Sequence, residues 1–129
     1  MAGKQILIID DNEDNRMIVK LAIETNSDWK VFTAPNAIEG IVLAELERPD
    51  AILLDLAMPD LDGLTVYEVL KSNLFTSTIP IIFMTAITKE KTLRHLKNTL
   101  AKGIILKPFD ALNLRSLISR ICAWSENNQ

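Results

Sequence analysis

Four apolar runs in this chain end in a residue able to do chemistry. "QILII" runs into Asp10 and Asp11, "AILL" into Asp55, "IIFM" into Thr85 and "GIIL" into Lys107. An ionised carboxylate at the end of a buried run is costly unless it meets a cation or hydrogen-bond donors. Three carboxylates in one cleft repel each other unless a cation joins them. Oxygen-only ligands, with one or two direct carboxylates and water, suit Mg2+. A carboxylate is also a nucleophile that can form an aspartyl phosphate. Asp55 is the candidate nucleophile. Lys107 would balance charge on the phosphoryl oxygens, and the Thr85 hydroxyl would donate a hydrogen bond.

Whether these residues meet depends on the elements that carry them. The sequence predicts strands over Gln5–Ile9, residues 29–33, Ala51–Leu54, Ile79–Met84 and Gly103–Leu106. Between them it predicts helices. The first runs from Glu13 to about Glu24, with Met17, Ile18, Leu21 and Ala22 at helical spacing. The second runs from Ala37 to about Glu47, with Ile38, Ile41, Val42 and Leu46. The third spans Leu64–Leu74, with Val66, Val69 and Leu70 on one face. The fourth extends from Thr88, its cap, to about Leu100; the last is capped by Asp110 and runs to about Trp124. Five strands alternating with five helices mean an α/β fold, a doubly wound parallel sheet covered on both faces. In such sheets ligands bind beyond the carboxyl ends of the strands, where strand order reverses. In the flavodoxin-like order 2-1-3-4-5, Asp10, Asp11 and Asp55 converge, with Thr85 and Lys107 across from them.

Composition excludes several classes. A chain of 129 residues, 48% hydrophobic and 24% charged, fits one globular domain. Its apolar runs are too short to span a membrane, and no secretory signal is visible. Cys122 is the only cysteine, which excludes an internal disulfide and fits a cytoplasmic location. Residues 1–85 hold 6 basic and 14 acidic side chains, a balance of −8; residues 86–129 hold 8 and 3, a balance of +5. The acidic part argues against nucleic-acid binding. The basic part could steer an acidic partner or simply be a solvated face.

"LIIDDN", "ILLDLAMPDLDG", "IIFMTA" and "LKPF" together resemble the receiver domain of two-component response regulators. The match spans nearly the whole chain in order and spacing. It implies a receiver domain over residues 1–125 and a polar tail over 126–129. It implies that Asp55 accepts a phosphoryl group from a histidine kinase or phosphotransfer protein. Asp11 and Asp55 would hold Mg2+ directly with the Ala57 backbone carbonyl, and Asp10 through water. Thr85 would move toward the phosphoryl oxygen, Lys107 would pair with it, and Lys107–Pro108 would be cis. The switch would be read by a downstream protein at the C-terminal helix-strand-helix face, with homodimerisation there a further option. Such a domain is a switch rather than an enzyme. Nothing in the chain reads as an output module, which leaves a stand-alone receiver or a piece of a longer protein.

Two departures from the family's pattern stand out. Ile104 stands where an aromatic ring is common. Ala57 and Ile87, two residues after Asp55 and Thr85, are apolar and cannot orient an attacking water, which implies slow self-dephosphorylation. Taken singly, Thr85 reads as a turn residue and Lys107 as a surface lysine. Asp60, Asp62 and Gly63 read as shaping the loop after Pro59, His95 as solvent-facing, Cys122 as a small buried side chain, and Trp29 as packing. Trp124 reads as packing or as an exposed contact. Rival readings are a receiver-like docking module that is never phosphorylated, and a Mg2+ phosphohydrolase. The latter needs a second acid where Ala57 stands. A flavin-binding protein would need a phosphate loop where "DDNEDN" stands.

Overall fold

A computed structural model describes residues 3–58 and 62–125. Pro59, Asp60 and the 126–129 tail lie outside the described residues. Five parallel strands form one sheet: β1 (Gln5–Ile9), β2 (Lys30–Ala34), β3 (Ala51–Asp55), β4 (Ile81–Thr85) and β5 (Gly103–Leu106). Their order is β2-β1-β3-β4-β5, as expected. The helices are α1 (Glu13–Glu24), α2 (Ala37–Glu47), α3 (Gly63–Ser72), α4 (Glu90–Lys97) and α5 (Leu114–Ile121).

Both faces of the sheet are buried, which is why its central strands are apolar throughout. Leu7, Ile9, Ile52, Leu54, Ile81 and Phe83 point to one side, against α2, α3 and α4. Ile6, Ile8, Leu53, Ile82, Met84 and Ile105 point to the other, against α1 and α5. No helix among the described residues is long and apolar enough to cross a membrane.

The structure corrects several boundaries. Strand β2 starts after Trp29, and β4 starts after Pro80, whose carbonyl accepts from Ile52 N–H. Helix α4 begins two residues beyond Thr88, with Lys89 at the cap position and no side-chain cap bond. Asp110 does cap, but it caps a 3-10 turn, Ala111–Asn113, that leads into α5; the helix ends before Trp124. Trp124 instead sets its ring edge-on against buried Trp29, with centroids 5.8 Å apart. Cys122 is only half-buried.

The stripes on the first two helices need a larger correction. Met17, Ile18 and Leu21 face outward on α1, which buries Val19 and Ile23 instead. On α2, Ile38, Val42 and Leu46 face outward, and the small residues Ala37, Gly40 and Ala44 lie against the sheet. A Cβ at Gly40 would come within 2.6 Å of the Ile9 side chain, so the helix–sheet gap has no room for a larger inner face. On α3, Val66 and Leu70 are buried but Val69 is exposed.

Candidate functional site

The carboxyl ends of β1, β3, β4 and β5 surround a cleft of about 230 Å³. Asp10, Asp11, Asp55, Ala57, Thr85 and Lys107 all line it. Carboxylate oxygens of Asp10, Asp11 and Asp55 lie within 4.8 Å of one another, close enough to share one ion. Asp10 is fully buried and Asp55 nearly so, whereas Asp11 is exposed. An all-oxygen set with one solvent-facing member suits a hard cation that keeps part of its water shell.

Lys107 follows β5 and reaches back across the cleft. Its Nζ donates to Asp10 Oδ2 at 3.2 Å and to Asp55 Oδ1 at 3.3 Å. The Lys107 N–H donates to the Thr85 carbonyl at 2.8 Å, which aligns the ends of β4 and β5. The Lys107–Pro108 peptide is cis, as the resemblance implied. Thr85 is buried at the end of β4, and its Oγ1 accepts the Ile87 N–H at 3.0 Å.

Burial, and then the adjacent Asp10 carboxylate, hold the Asp55 carboxyl above the usual carboxylate range. Lys107 and the Ala57 N–H oppose this without cancelling it. One ammonium therefore faces three acids, and the cleft as folded lacks positive charge.

Three supporting residues escaped the motif-based reading. Asn12 caps α1 by accepting from Asn15 N–H, and its own N–H donates to Asp10 Oδ1 at 2.9 Å. The Asn15 amide reaches Asp10 Oδ2 at 3.5 Å, and Arg16 Nη1 donates to the Asp10 carbonyl at 2.8 Å. The signal was present in "DDNEDNR": an Asn ahead of an acidic first turn is a helix N-cap. Asp62 and Gly63 do not line the cleft; they start α3. Asp62 caps α3 by accepting from Thr65 N–H, and Gly63 N–H donates to the Leu56 carbonyl at 3.0 Å.

The fold and cleft define a class: open, doubly wound parallel α/β modules with an acidic cleft and a facing lysine at the carboxyl edge of the sheet. Comparison with known proteins narrows it: the response regulator receiver domain family matches residues 6–119, and the chain belongs to that family. It is 31% identical to Protein PilH of Pseudomonas aeruginosa, over 92% of this chain and 98% of PilH. It is 33% identical to the sensor histidine kinase TmoS of Ectopseudomonas mendocina, over 91% of this chain but only 12% of TmoS. The structure of the chemotaxis protein CheY4 of Vibrio cholerae superposes with a TM-score of 0.85 at 25% identity, covering 93% of this chain and 99% of CheY4.

Proposed function

We propose that this chain is a phosphoacceptor switch in which Asp55 takes a phosphoryl group from the phosphohistidine of a kinase or phosphotransfer protein. The observation that carries this reading is the shared ammonium: Lys107 contacts both buried acids in a cleft that also holds Asp11 and Thr85. An Asp55 oxygen attacks phosphorus, the N–P bond breaks, and the imidazole leaves with the electron pair. Asp10, Asp11, Asp55 and the Ala57 carbonyl would hold Mg2+. When bound, the ion offsets the acids' charge and that of the incoming phosphoryl group.

The chain's own residues do the rest. Lys107 exchanges its contact with Asp55 Oδ1 for a phosphoryl oxygen. The Thr85 hydroxyl turns toward the same group, which weakens its hold on Ile87 N–H. The β4–α4 segment then changes shape, and one state of an existing equilibrium is favoured. The reading assigns residues 1–125 to one receiver domain acting in the cytoplasm. Its output face is α4–β5–α5, where exposed Lys91, Arg94 and His95 suit an acidic partner.

The test is incubation with Mg2+ and acetyl phosphate, or with beryllofluoride, followed by mass spectrometry or a binding readout. Wild type gains the adduct and Asp55→Asn does not. An adduct retained in Asp55→Asn refutes the assignment.

A further inference from the structure

The outer face of α2 takes no part in the cleft and has no cover. Ile38, Val42 and Leu46 are 72%, 46% and 72% exposed. Their spacing of four places them in one row along the helix. Single exposed aliphatics need no explanation, but an aligned row of three does. The inner face is fixed by Ala37, Gly40 and Ala44, so the helix is apolar on both sides and only one side is buried.

The borders of the row identify what fits it. On a helical projection Glu39 and Glu45 flank it, one on each side. Each carboxylate has a neutral amide as partner: Asn36 donates to Glu39, and Asn73 donates to Glu45. Among the described residues neither acid is in an ion pair. The row is thus an aliphatic seam with two negative margins. A second copy seated on the same face would set acid against acid. An anionic lipid surface would be repelled in the same way. The chain's own basic helices already spend their apolar faces on the core, α4 through Leu96 and α5 through Leu114 and Ile118.

We propose that α2 is a docking face for an amphipathic helix of a partner protein, one whose aliphatic stripe is bordered by Lys or Arg. Helix α2 packs on β1, β2 and α3 and contributes no residue to the cleft. Docking there is independent of the phosphoacceptor chemistry, and failure of either reading leaves the other standing.

The probe is a designed helical peptide with a leucine row bordered by lysines, labelled for fluorescence anisotropy and titrated with the full chain in saturating Mg2+. Saturable binding is expected. It should weaken at least about tenfold in the Ile38→Ser/Leu46→Ser double variant, as two aliphatic side chains lose their burial. Unchanged thermal unfolding of that variant shows that the fold is intact. Glu39→Gln and added salt should both weaken binding, and a matched peptide bordered by glutamates should bind far less. Equal binding to the double variant, equal affinity for the two peptides, or no binding at all overturns the proposal. So does wild-type dimerisation, or binding to phosphatidylcholine vesicles, that the double variant abolishes; these would assign the face to a second copy or to lipid.

Discussion

The Lys107 ammonium stands 3.2 Å from Asp10 and 3.3 Å from Asp55, one cation shared by two buried carboxylates. With Asp11 added, negative charge is in excess. Asp55→Asn is therefore expected to raise the thermal midpoint by several degrees near neutral pH without divalent ions. Mg2+ should raise the wild-type midpoint in a concentration-dependent way and the variant's far less. Unfolding curves in chelator and in graded Mg2+ measure both, and a less stable Asn variant would contradict the charge argument.

Phosphoryl lifetime follows from two apolar side chains. Ala57 and Ile87 line the cleft and cannot orient water. Once acetyl phosphate is removed, the phosphorylated form should decay over minutes or longer. Ala57→Asn places a carboxamide at the cleft and should speed the decay severalfold. A wild-type half-life of seconds would refute this.

Gly63 lets α3 begin against the end of β3. An added Cβ would lie 2.6 Å from the Asp55 carbonyl oxygen and 2.7 Å from Leu56 Cα, both backbone atoms. Gly63→Ala is expected to cost about 1–3 kcal/mol, in the range of overpacking. It should also slow phosphoryl uptake, because the displaced backbone carries Asp55. Urea unfolding and acetyl phosphate kinetics read the two effects separately.

Tyr67 ties the connection after α4 to the core. Its ring packs on Phe83 with centroids 5.4 Å apart, and its hydroxyl accepts the Leu100 N–H. Tyr67→Phe keeps the ring and removes the acceptor, at a cost of about 1 kcal/mol. Hydrogen exchange should quicken at Leu100 and leave β1 and β3 unchanged.

Acid sensitivity has a source outside the cleft. Burial works against the Glu24 carboxylate, but the Val31 N–H at 2.8 Å and Lys20 at 2.9 Å outweigh it and hold its pKa below the usual glutamate range. The unfolded chain then binds the proton more readily. Glu24 stabilises the fold above its unfolded pKa, and that contribution fades as pH falls through the folded value. Glu24→Gln should cost stability near neutral pH, with the gap to wild type closing as pH falls through and below the usual glutamate range. A gap constant across that range would exclude this role.

The strands and the acids at their ends were legible because a doubly covered parallel sheet leaves its central strands no polar alternative. The helix faces were less legible. Spacing alone gave α1 and α2 a row of large aliphatics, yet most of each row faces outward: α1 buries Val19 and Ile23 instead, and on α2 close approach to Ile9 admits only Gly40 at the contact. The start of α4 was misplaced since Thr88 has the chemistry of a cap without its hydrogen bond. Lys107 spanning both acids depends on how the end of β5 is aimed, which no local pattern encodes.

Helix α4 packs on the sheet side through Leu93 and Leu96, with Lys91, Arg94 and His95 turned to solvent. Those outward positions hold up almost none of the architecture. On the proposed reading, substitutions there would change which partner is recognised while leaving the sheet and its acidic cleft intact.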